Sequence, residues 1–150
     1  MSELLKLEEE LIEHKFPTEP NLLPAWFIEA AGDIFRELCK KYPDIGYIMQ
    51  KLDRLKRFGD FSLGDFCELE EFRMNCDLNA VGEFKSNLEK LKEELGKRAD
   101  ELGWKYEPMK EALEIIEVIV SWAIGEITTC EARFKILGLI KEIEREVLMK

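Results

Sequence analysis

The stretch PMKEALEIIEVIVSWAI, residues 108–124, decides the fold. From Leu113 to Ile124 it is apolar except at Glu114, Glu117 and Ser121. Those three recur at spacings of three and four, so on a helix they form one thin polar line. A helix apolar on almost every other side needs partners on almost every side. Residues 108–124 are therefore expected at the centre of a helical bundle. Pro108 suits the opening turn of such a helix, where a missing N–H does no harm.

Towards the C-terminus, Gly125 makes a short joint. Thr128 with Glu131 three residues later reads as a capping box, and Ile127 is placed as a staple. The next helix turns Ile136, Leu139, Ile140, Ile143 and Val147 inward, which gives an antiparallel hairpin with residues 108–124. Towards the N-terminus, Val81, Phe84, Leu88, Leu91, Leu95, Ala99 and Leu102 line a narrow stripe like a coiled-coil seam. They predict one helix over 78–102, about 38 Å long, stopped by Gly103. These three helices are expected to form the central antiparallel bundle.

Earlier residues are expected to wrap it. A helix over 2–15 presents Leu4, Leu7 and Leu11. The segment FPTEPNLLP, residues 16–24, holds Pro17, Pro20 and Pro24 and reads as an extended connection. That connection frees the first helix to pack on a partner subunit. A second helix from Pro24 turns Phe27, Ala31, Ile34, Phe35, Leu38 and Tyr42 inward. Pro43 ends it and opens a third, with Ile45, Ile48, Met49, Leu52 and Leu55 inward and a stop at Gly59. A fourth runs over 63–75 behind a Ser62 cap. The expectation is one all-α domain over 1–150, a multi-helix bundle of about seven helices.

Composition narrows the function classes. In 150 residues there are 22 Lys+Arg and 32 Asp+Glu, a net charge of −10, so nucleic acid is a poor partner by default. The one Gln, four Asn and four Ser against 36% charged residues give a thermophile-like balance. The longest apolar run, Ile115–Ile124, is broken by Glu117 and Ser121 and falls short of the roughly 20 residues that span a bilayer. The first residues lack the basic-then-apolar order of a signal peptide, so a cytoplasmic location is expected. A single His and no paired Cys spacing argue against zinc or haem. Glycine-rich phosphate loops are absent.

Five features could carry chemistry. Glu114 and Glu117, one turn apart on an apolar helix, would hold a divalent cation if further acids converged on them; solvated or lysine-paired acids are the plainer reading. Glu10 and His14 could orient an imidazole, or form a surface ion pair. Cys39, Cys67, Cys76 and Cys130 read as small buried hydrophobes. The joint Phe58–Phe66, with its repeated Gly-Asp-Phe, either plugs the end of the bundle or docks a partner. Lys51, Arg54, Lys56 and Arg57 could meet phosphate, but in an acidic chain they are expected to meet its own carboxylates.

The sequence Glu93-Glu94-Leu95-Gly96-Lys97 followed by Glu114-Ile115-Ile116-Glu117 resembles the metal-binding helices of the all-α nucleoside triphosphate pyrophosphohydrolases of the MazG type. There, Glu-Glu-x-x-Glu and a following Glu-x-x-Asp bind Mg²⁺. The resemblance covers about residues 88–145 and implies Glu93, Glu94, Glu114 and Glu117 as Mg²⁺ ligands. Here Lys97 stands in place of the third acid, and Glu117 in place of the Asp. With no complete catalytic set, the leading expectation is a non-enzymatic protein–protein interaction or structural subunit that self-associates as a homo-oligomer. The alternatives are a divergent Mg²⁺-dependent pyrophosphohydrolase and a helical subunit of a nucleoprotein complex.

Overall fold

The computed structural model describes residues 23–59 and 78–149, and every regular element among them is helical. Helix α1 is Leu23–Leu38, α2 Ile45–Lys56, α3 Leu78–Lys97, α4 the single turn Ala99–Leu102, α5 Tyr106–Ala123 and α6 Thr129–Leu148. Tight turns at Arg57–Gly59 and Gly103–Lys105 close α2 and lead into α5. Five helices longer than one turn are thus described, rather than about seven. The two others expected, over 2–15 and 63–75, lie outside the described residues. So do Glu10, His14, Cys67, Cys76 and most of the Phe58–Phe66 joint.

Residues 108–124 do sit inside the molecule. Along α5, Met109, Ala112, Leu113, Ile115, Ile116, Ile119, Val120, Trp122 and Ala123 are all buried. Pro108 lies in its opening turn. The joint after it is a Schellman turn. The Glu126 N–H donates to the Ser121 carbonyl at 2.9 Å and the Gly125 N–H to the Trp122 carbonyl at 3.1 Å. That geometry sets Gly125 at φ 86°, where a side chain would be strained. Thr128 then caps α6, its hydroxyl accepting the Glu131 N–H at 3.1 Å. The indole N–H of Trp122 donates to Thr129 Oγ1 at 3.0 Å, pinning the hairpin from inside.

The company α5 keeps differs from expectation. It packs most extensively on α1, next on α6, and much less on α3. Helix α1 is therefore a central member, bridged to α6 by α2, and α3 lies on the outer side of α5. The reason is the width of the apolar faces. On α1, Phe27, Ala30, Ala31, Ile34, Phe35 and Leu38 are buried, and the small Ala30, Ala31 and Gly32 allow close approach. The α3 stripe is the predicted one, Val81, Phe84, Leu88, Leu91 and Leu95, but it is a seam one residue wide.

Two boundaries also move. The helix expected over 78–102 breaks at Arg98, whose φ −106° and ψ 11° leave the helical region. Gly96, two residues earlier, weakens the helix there. Gly103 closes the extra turn at φ 60°. The first break is at Leu38, not Pro43, so Tyr42 is not on α1 and is 82% exposed. Pro43 disfavours helical backbone at the residue before it.

Phe58 is fully buried at the end of the bundle. Its ring lies 5.1 Å from Phe27 and 4.7 Å from Trp122, centroid to centroid. The part of the aromatic joint that is described therefore plugs the core. Two of the four cations expected to meet carboxylates do so, Lys51 with Asp33 at 3.0 Å and Lys56 with Glu144 at 2.6 Å, whereas Arg54 lies over the Trp26 ring at 4.3 Å and Arg57 stands exposed in the turn after α2. These partners are on α1 and α6. The Glu144 hydrogen bond raises the Lys56 pKa despite opposing desolvation.

Candidate functional site

The polar line on α5 opens onto a groove of about 910 Å³ between α3, α5 and α6. Lys92, Glu114, Glu117 and Val118 line it from α3 and α5, and Phe134, Lys135, Leu137, Gly138, Leu139, Lys141 and Glu142 from α6. Phe134 stands on the exposed side of α6 with 82% of its surface in water. A Cβ placed on Gly138 would meet nothing within 4 Å, so the groove is open at that point. Val118, Leu137 and Leu139 are half-buried and give the groove an apolar floor.

Glu117 is held by Lys92, whose ammonium donates to Glu117 Oε2 at 2.7 Å. Burial works against the charge on Lys92. The hydrogen bond and charge of Glu117, with Glu89 behind it, outweigh that and raise the Lys92 pKa. Glu94 pairs with Lys97 at 3.1 Å on its own helix. Glu93 is exposed and Glu114 half-buried. Lysines thus hold two of the four acids implied as Mg²⁺ ligands. Lys97, the departure from the pyrophosphohydrolase pattern, neutralises the neighbouring Glu94.

A different set of acids does converge. The α5 line continues past Glu114 to Glu111 and Glu107, and antiparallel packing brings the last turns of α6 beside it. One carboxylate oxygen each from Glu107, Glu111 and Glu146 lie within 4.8 Å of one another. Glu111 is only 7% exposed, and its Oε2 is sealed from solvent with no N–H donor in reach. Desolvation, then the charge and hydrogen bond of Glu146, then the charges of Glu142 and Glu107, push the Glu111 pKa up to about 8. Desolvation likewise raises that of Glu146, together with Glu107 and Glu142, against the lowering effect of its Glu111 hydrogen bond and Arg145.

Sequence reasoning does not reach this cluster because Glu111 precedes the apolar run, near the helix start, where an acid is ordinary. The available signal was a pair of Glu-x-x-x-Glu spacings, Glu107/Glu111 and Glu142/Glu146, at the two ends that a hairpin must bring together. Of the cysteines described, Cys39 is buried and Cys130 exposed, both as free thiols. Comparison with protein-family models, curated proteins and solved structures gives no match.

Proposed function

We propose that this protein is a non-enzymatic interaction module that self-associates through the α3–α5–α6 groove. The observation that carries the reading is Phe134, a large apolar ring left in water beside an open groove with an apolar floor. Scattered exposed hydrophobics need no explanation, but one set beside a fitting cavity marks an interaction face. In a two-fold pair each copy presents the same patch, so the ring of one faces the groove of the other. The charge pattern favours a second copy as occupant. The groove carries Lys92, Lys135 and Lys141 against Glu114, Glu117 and Glu142. On a chain of net charge −10, this balanced patch lets two copies approach with less repulsion than the net charge alone would impose.

The divergent Mg²⁺ pyrophosphohydrolase reading would require Lys92 to release Glu117 and Lys97 to release Glu94. The nucleoprotein reading would require the α2 cations to leave Asp33 and Glu144. Neither release is favoured by a feature of the groove.

The test is the mass in solution. Size-exclusion with light scattering over a concentration series is expected to give a dimer for the unaltered chain and a monomer for Phe134→Asp. That side chain is exposed, so circular dichroism of the variant should match the parent. A parent that remains monomeric at millimolar concentration would overturn the proposal.

A further inference from the structure

A second cluster adjoins the self-association face and shares Glu142 with it. We infer that Glu107, Glu111 and Glu146 bind a hard divalent cation between the first turns of α5 and the last turn of α6. A cluster of surface acids would not support this by itself. The independent observation is Glu111: its side chain is more than nine-tenths buried and its sealed Oε2 meets no N–H donor, while one of its carboxylate oxygens lies within 4.8 Å of one each from Glu107 and Glu146. A buried carboxylate whose neighbours are other carboxylates is left with much of its desolvation cost uncompensated. A cation held by all three carboxylates removes that deficit.

The donor set fixes the class of ion. Three carboxylates, with no His or Cys, suit oxygen-seeking Ca²⁺, Mn²⁺ or Mg²⁺ rather than a softer metal. Oxygens within 4.8 Å of one another can surround an ion whose bonds are about 2.1–2.6 Å long. The charge fits too. Glu107, Glu111, Glu142 and Glu146 carry four negative charges when ionised. Lys110, 3.8 Å from Glu107, and Arg145, paired with Glu142, supply two positive ones. The remaining −2 is what a divalent cation neutralises.

Thermal melts of the full chain in Mn²⁺, Ca²⁺ and Mg²⁺, each alone, test the inference. At about a hundredfold excess over Kd, the bound ion is expected to raise Tm by roughly 5–10 °C. Glu111→Gln and Glu146→Gln should remove the rise while keeping the helical circular dichroism. Should Glu111→Gln fail to fold, Glu146→Gln decides the matter, because that side chain is half-exposed. Glu117→Gln should keep the full rise. No rise with any of the three ions, or a rise retained in both cluster variants, would overturn the assignment. So would a rise lost in Glu117→Gln instead. Repeating the melts on monomeric Phe134→Asp separates this result from self-association, since the three carboxylates lie in one chain.

Discussion

A carboxyl group that is buried beside other carboxyls makes folding sensitive to protons. Glu111 takes up its proton near pH 8 in the folded chain and near its ordinary 4.5 when unfolded. Between those values the folded state binds more protons, so stability is greatest below about pH 4.5, as far as this group is concerned, and falls as pH rises through 8. The groups that face it are Glu107 from its own helix and Glu142 and Glu146 from α6, with Lys110 and Arg145 at their edge. In metal-free buffer, Tm of the parent is expected to decline from pH 5 to pH 8, while Glu111→Gln shows a flatter profile and melts higher at pH 8. Melting curves at a series of pH values check the sign.

At the scale of the element, the α5–α6 hairpin is defined by a few residues whose chemistry was legible in advance. Gly125, Thr128 and Glu131 announce a turn and a cap through local geometry, and local geometry is what a short sequence window contains. Thr128→Ala removes one capping bond and is expected to destabilise by about 1 kcal/mol. Gly125→Ala forces a side chain into positive φ and should also destabilise, by a similar amount. Urea titration reads both, and a change in midpoint without a change in slope would show that the native contacts elsewhere are intact. What the window did not contain was the neighbour. The buried stripe of α3 was readable, but not its peripheral place, since that depends on the broader, smaller-residue face of α1 competing for α5. The Glu111 cluster was hidden for the same reason. Its members are 35 residues apart in sequence, from Glu111 to Glu146, and meet only after the hairpin closes.

For the molecule as a whole, charge and apolar surface oppose each other. A net charge of −10 repels a second copy at long range, while the groove attracts it at contact. Salt screens the first and leaves the second. Raising ionic strength from low to physiological is therefore expected to tighten the dimer, a trend that sedimentation equilibrium would read directly. Weakening with salt would instead place the Lys–Glu pairs at the heart of the contact.

The position of α1 has a further consequence in the living cell. Its apolar side finds its main cover in α5, and α5 is completed 85 residues after α1 ends, at Ala123 against Leu38. At translation speeds of 5–20 residues per second, that is roughly 4–17 s. Throughout this interval the face of α1 that packs on α5 lacks that cover. Newborn chains thus pass through a window in which they invite chaperones, or one another, before the hairpin arrives to close it.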